Sequence, residues 1–264
     1  MNQLTLSTLV HELGPSNVTG FFLVLARVAP LFVLAPLFSS AMLPPQVKSV
    51  VAVGLAMGLT GVAMRGQTLP TDPLTLTGML VSQLLVGLAF AFAVGAVFSA
   101  VEAAGSLLDV VSGFSYGQLI DPVTKTSGGV LTTLYGMVGV AMFLAIGGDA
   151  WTLRGLARTF QLVPLTRAPN IASLTTGVEQ AFSTIFVAAL EIAAPALLAL
   201  LITDIAFGMV AKVVPQISIF SIGFPLKIGV ALLTVAAALP FLGGFMSSQI
   251  ATAIGTALHS ITGA

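Results

Sequence analysis

The chain has no cysteine, one tryptophan and two histidines, and only 7% of its 264 residues are charged. Without cysteine there are no disulfides and no thiolate metal sites, and the redox compartment is left open. An ordinary soluble domain carries about 25% charged residues. Nine basic and nine acidic residues cannot cover the surface of a soluble domain of this length. Their balance leaves a net charge of zero, so nothing suggests nucleic acid or an anionic lipid surface as a partner. The first residues, MNQLTLSTLVHELGP, hold no Lys or Arg before the first apolar run and so lack the basic n-region of a cleaved secretory signal. No metal-ligand cluster, phosphate loop or dinucleotide fingerprint is present, and no cofactor is implied.

What is there is apolar: 57% of the residues, with a mean hydropathy of +1.09. This composition belongs to an integral membrane protein or to a chain buried in a hydrophobic assembly. Six charge-poor runs stand out: Phe21–Phe38, Ser49–Met64, Pro73–Val101, Thr126–Gly148, Gln180–Ala211 and Ile228–Leu258. Each is long enough, or nearly so, to cross about 30 Å of hydrocarbon as a helix. Isolated strands cannot satisfy their backbone in lipid, so the expected fold is all-α.

As membrane spans the runs fit poorly. Prolines interrupt several of them and predict kinks. Gln180–Ala211 as one helix would be about 48 Å long, so it either breaks near Pro195 or leaves the lipid. The positive-inside rule gives a tie, Arg65, Arg154, Arg158 and Arg167 against Lys48, Lys125, Lys212 and Lys227. Either the spans differ from these six, or partner subunits rather than lipid position the helices. Small residues recur at helical spacing at Gly54 and Gly58 and at Gly87, Ala91 and Gly95, faces that allow close packing within the chain or against another subunit.

Gly113-Phe114-Ser115-Tyr116-Gly117 fits the G-x-S-x-G pattern of a nucleophilic serine. The only histidines to serve it are His11 and His259, and no strand precedes it. A glycine-rich loop or helix break is the simpler reading, beside an intramembrane serine hydrolase with Ser115 and His259. The region 102–125 contains Glu102, Asp109, Asp121-Pro122 and Lys125 among apolar residues, which suits either a segment folded back into the protein or a surface loop. Arg27, Glu191 and Asp204 lie inside apolar runs, where a charge is expensive. They open an ion-coupled transporter reading, beside structural pairing. Further on, Val214 before Pro215 predicts a helix ending near Lys212, a turn over 213–225 and a second helix from about Pro225. Asp204, Lys212 and Lys227 would then gather toward the tip of a helical hairpin.

The ordered series Pro195, Asp204, Phe207-Gly208, Pro215-Gln216, Phe220 and Gly223-Phe224-Pro225-Leu226-Lys227 resembles the FliR/SctT family of type III secretion export-gate proteins. Arg27-Val28-Ala29-Pro30, Pro36, Gly113-Phe114-Ser115 and Asp121-Pro122 extend the resemblance over essentially the whole chain. The Gly-Phe-Pro-Leu-Lys ending looks flagellar rather than virulence-type. The resemblance implies a non-enzymatic core subunit of the flagellar protein export gate, in the bacterial inner membrane at the basal body. Unfolded flagellar subunits would pass through the channel it helps to form. It implies one subunit over residues 1–264, with a FliP-like N-terminal part and a FliQ-like hairpin from about 180. Kinked helices and hairpins of this kind pack into a helical ring. The implied partners are FliP-like and FliQ-like subunits, a FlhB-like export protein, exported flagellar proteins and the membrane. A channel plug is expected over Gly113, Phe114, Ser115, Tyr116, Gly117, Asp121 and Pro122. The hairpin-tip or assembly residues are expected to be Asp204, Lys212, Pro215, Gln216, Phe220, Pro225 and Lys227.

Overall fold

The computed structural model describes residues 15–35, 44–115, 129–213 and 219–263, with the backbone alone at 15 and 219–221. Among the described residues every regular element is a helix: α1 (Pro15–Val28), α2 (Leu31–Leu34), α3 (Pro45–Ala63), α4 (Pro73–Ser112), α5 (Val130–Ala145), α6 (Gly148–Leu162), α7 (Ile171–Val213) and α8 (Ile219–Thr262). Five stretches are long and apolar enough to cross a membrane: Ser16–Leu34, α3, α4, α7 and Ile222–Thr262. The broken pair of α5 and α6 can count as a sixth. This is the expected all-α, membrane-type architecture.

Local chemistry sets the helix ends. Pro30 has no N–H for the carbonyl of Ala26, so α1 stops, and α2 restarts with Leu34 N–H donating to the Pro30 carbonyl at 3.0 Å. Ala35, forced out of helical geometry by the following proline, is extended at φ −84°, ψ 118°. Pro45 sits in the first turn of α3, where a missing N–H costs nothing. Asp72 caps α4: its Oδ2 accepts from the Thr75 N–H (3.0 Å) and the Thr75 hydroxyl (2.8 Å). Gly147, at φ +69°, makes the break between α5 and α6.

The described residues cluster in two compact units. The first comprises Met1–Gly95, Asp149–Ala181 and Ala251–Ala264. At its centre Arg27 is completely buried. Its Nε donates to Gln83 Oε1 at 2.7 Å, one terminal nitrogen to the Thr159 hydroxyl at 3.3 Å, and the other to the Val163 carbonyl at 3.0 Å. The guanidinium also lies 4.4 Å from the centre of the Phe160 ring. Gln83 passes its own amide N–H to the Leu165 carbonyl. All these partners are uncharged. One cation thus ties α1, α4, α6 and the segment after α6 together through dipoles and a π face. The same faces meet elsewhere. A Cβ on Gly87 would run into the carbonyl oxygen of Arg27, and one on Gly95 would sit 2.9 Å from that of Leu34. The Gly87–Ala91–Gly95 stripe is therefore used within the chain. At Gly54 and Gly58 nothing lies within 4 Å of an added Cβ.

The second unit comprises Ala96–Gly148 and Phe182–Ile250. Here α4 and α5 pack closely. Phe98 and Phe143 meet edge to face at 5.0 Å, Gly139 leaves room for Val101, and Gly105 lies against the backbone of Leu131 and Thr132.

Three sequence expectations change. Residues 102–112 are neither loop nor fold-back but the last three turns of α4. The run from Gln180 lies inside a longer helix that starts at Ile171, and of its two readings the break near Pro195 does not occur. A membrane helix absorbs one lost hydrogen bond when its neighbouring backbone bonds hold. Finally, α8 begins at Ile219, so Pro225 lies inside it rather than at its start, where it deprives only the carbonyl of residue 221. As expected, α7 ends beside Lys212, at Val213.

Two outcomes follow. Arg27→Leu leaves Gln83 Oε1 and the Val163 carbonyl without their donor. It should destabilise the protein by on the order of 3 kcal/mol, read as a lower thermal midpoint in detergent, and Arg27→Lys should recover only part of that. The Thr75 backbone N–H, then its hydroxyl, hold the Asp72 carboxyl below its ordinary range. The cap is thus complete above the ordinary carboxylate range and is lost as pH falls through the lowered value. Asp72→Ala should speed amide exchange in the first turn of α4 at neutral pH, and the difference from wild type should vanish in strong acid.

Candidate functional site

The Gly-Phe-Pro-Leu-Lys motif, residues 223–227, lies in the second and third turns of α8, where a spacing of three puts Phe224 and Lys227 on one face. Lys227 Nζ meets Asp204 Oδ2 of α7 at 2.8 Å, in a pair whose side chains are 21% and 47% exposed. In water an exposed pair of this kind contributes about 0–1 kcal/mol. In apolar surroundings its chief effect is to neutralise two charges that would each be costly alone. Lys212 stays in the last turn of α7, where a cation suits the negative helix end, and the salt bridge does not include it. Pro215 and Gln216 lie outside the described residues, and Phe220 is described only as helical backbone.

Phe224, three residues before Lys227, faces another element of the same unit. Its ring edge lies over Gly113, where an added Cβ would come within 2.5 Å of it. Gly113 ends α4 in a left-handed conformation, φ +93°. That conformation and that contact together require glycine. The motif therefore holds two of the expected site regions at once: Lys227 on Asp204, and Phe224 on the start of the Gly113–Pro122 segment. Phe114 and Ser115 are partly exposed beyond the break, and Tyr116, Gly117, Asp121 and Pro122 lie outside the described residues.

The start of α5 is anchored by a residue to which the sequence reading gave no role. Asp109 is 2% exposed. Its Oδ1 accepts the Leu131 N–H at 2.8 Å, and its Oδ2 accepts the Thr132 N–H at 2.8 Å and the Thr132 hydroxyl at 2.7 Å. A carboxylate of α4 thus caps the first turn of α5, satisfying otherwise orphaned amides and meeting the positive helix end. Gly129, the N-cap residue just before α5, has no side chain of its own to do this, and a Cβ there would overlap the Asp109 carboxylate. Only a fold-back of α5 onto α4 reveals the pairing. The signal in the sequence was an acid one turn before a glycine break and two glycines just before an apolar run.

Of the other charged residues singled out, Arg27 is held by neutral partners in the first unit and Glu191 lines a cleft in the second. Ser115 belongs to the second unit, His259 to the first, and His11 lies outside the described residues.

Residues 18–253 match the family described as Bacterial export proteins, family 1. The chain belongs to this family. Among its bacterial export relatives, the flagellar biosynthetic protein FliR of Escherichia coli (strain K12) is 31% identical over 228 residues, which cover 85% of this chain and 86% of that protein. FliR of Bacillus subtilis (strain 168) is 28% identical over 80% of this chain and 83% of its own length. The surface presentation of antigens protein SpaR of Salmonella typhimurium is 25% identical over 85% and 82%. The family match spans α4, the glycine break, α5 and the motif in α8, so the contacts above lie inside the shared region.

Those contacts can be tested one by one. Asp109→Ala strands two amides and should cost about 1–3 kcal/mol. Gly113→Ala should cost about 1–2 kcal/mol for its backbone alone, with a further loss from the Phe224 contact. Adding Phe224→Ala should return only that second part, so a double-mutant cycle of denaturation midpoints should show coupling between residues 113 and 224.

Proposed function

We propose that this chain is a non-enzymatic core subunit of the flagellar type III protein export gate. It resides in the bacterial inner membrane at the flagellar basal body and forms part of the channel for unfolded flagellar subunits. The observation that carries the reading is the match of residues 18–253 to bacterial export proteins, together with the motif that resembles the flagellar branch. The physical character of the surface supports it. Helices α3 and α8 have only 17% of their apolar windows buried within the chain, against 67% for α4. Such helices need lipid or neighbouring subunits to cover them.

In this reading FliP-like and FliQ-like subunits, with a FlhB-like export protein, provide those neighbours, and α7 with α8 is the FliQ-like hairpin. Asp204, Lys212 and Lys227 with Pro215, Gln216, Phe220 and Pro225 form its assembly tip. The segment Gly113–Pro122 serves as the channel plug, its start seated on Phe224 and its far side followed by the Asp109-capped α5. The match to export proteins makes channel-building a better account of the intramembrane charges than ion-coupled transport or serine hydrolysis.

Deleting the gene should abolish flagella and motility while leaving growth unchanged, and the tagged chain should co-purify with FliP-like and FliQ-like proteins. A deletion strain that assembles normal flagella would refute the reading. Shortening Gly113–Pro122 should make the closed gate leak ions, seen as raised membrane conductance; unchanged conductance would place the plug elsewhere.

A further inference from the structure

The second unit contains a cleft of about 340 Å³ walled by α5, α7 and α8. Its walls are mostly apolar, with the rings of Phe241 and Phe245 among them, and Phe241 is 78% exposed at the surface. Three polar side chains reach it: Tyr135, Glu191 and Thr234. The Thr234 hydroxyl is committed to its own helix, to the carbonyls of Val230 and Ala231. The other two are not committed. Among the described residues neither the Glu191 carboxylate nor the Tyr135 hydroxyl has a hydrogen bond or ion pair, although Tyr135 as a whole is 2% exposed. Nor is the Tyr135 oxygen sealed in, since among the described residues no buried side-chain nitrogen or oxygen lacks a partner, and Tyr135 lines the cleft.

Pro195, which also lines the cleft, has no N–H to give the carbonyl of Glu191 four residues earlier. The Glu191 carboxylate is exposed beside the cleft. The lining offers this one carboxylate and one phenol that can donate or accept, and it holds no cation. A carboxylate in apolar surroundings needs a positive partner. An ammonium or guanidinium supplies one with donors only, and its aliphatic stem suits aromatic and aliphatic walls. An anion would meet the like charge of Glu191, with the Tyr135 phenol as the one side-chain donor not already committed.

We propose that this cleft is the receptor for a lysine or arginine side chain from an adjoining membrane polypeptide. The stem lies against Phe241 and Phe245, and the cationic head reaches Glu191, with Tyr135 beside it. The proposal rests on the assembly reading above for the source of the side chain, and on the cleft alone for its chemistry.

The two parts separate experimentally. The chain has two tyrosines, Tyr116 and Tyr135, so 3-fluorotyrosine labelling gives two fluorine signals, assigned with Tyr135→Phe. In the purified full-length chain, n-butylammonium, which reproduces a lysine side chain, should move the Tyr135 signal saturably. Neutral n-butanol should not, and Glu191→Gln should weaken the response at least tenfold. An equal response to n-butanol would mark a pocket for apolar chains, and an unchanged response in Glu191→Gln would remove the carboxylate; either overturns the proposal. In the purified export assembly the wild-type Tyr135 signal should already sit at its saturated position and ignore added n-butylammonium. A signal there that still titrates means that no basic side chain fills the cleft, which also overturns it. Failure of the chain to co-purify with other export proteins would instead sink the assembly reading, because the titration of the isolated chain does not depend on it.

Discussion

Lipid and apolar protein offer no water to complete a hydrogen bond, so a polar group buried in such surroundings needs a partner in protein. The described structure meets that demand in three ways. Arg27 spreads its charge over an amide oxygen, a hydroxyl, a carbonyl and a ring, none of them charged. Asp109 uses the amides at the start of another helix as its counter-charge. Asp204 has an ordinary ion pair with Lys227. Each solution fixes one element against another: α1 against α4 and α6, α5 against α4, α8 against α7. Packing of apolar side chains fills the space around these fixed points, but apolar contacts alone are non-directional and would tolerate slippage along the helices.

The architecture was largely legible because hydrophobic run length is set by membrane thickness. Each of the six charge-poor runs contains or overlaps an observed helix. The ends were less legible, for definite reasons. The last turns of α4 contain Glu102 and Asp109, which made them look unlike a helix headed for apolar surroundings. What permits Asp109 there is the start of α5, which supplies N–H groups 22 and 23 residues further on. Proline was over-read: Pro195 and Pro225 each remove one hydrogen bond, and long helices survive that loss, whereas Pro30 ends α1. Glycine spacing identified faces but not their use. The stripe at 87, 91 and 95 is consumed inside the chain, while Gly54 and Gly58 stay open on α3.

The candidate sites were legible as motifs and illegible as contacts. Nothing in Gly-Phe-Pro-Leu-Lys announces that Phe224 will cover the glycine that ends α4, about 110 residues earlier, because helix rotation and the fold of the second unit decide it. Once seen, the contact explains why the motif spaces a large ring and a cation three apart: from one face of α8 the ring reaches the end of α4 and the cation reaches Asp204 of α7. The glycine beneath the ring then carries two requirements, a positive φ and an absent side chain, either of which alone would have been weaker as a constraint.

The Arg27 cluster also sets a timetable. Its partners lie 56, 132 and 136 residues later in the chain. Synthesis at about 5–20 residues per second puts Val163 on the order of ten seconds behind Arg27. For that interval the first apolar segment exists with a guanidinium whose final acceptors have not been made. It cannot settle early at the depth it will finally occupy, and the first unit closes only after α6 arrives to receive it.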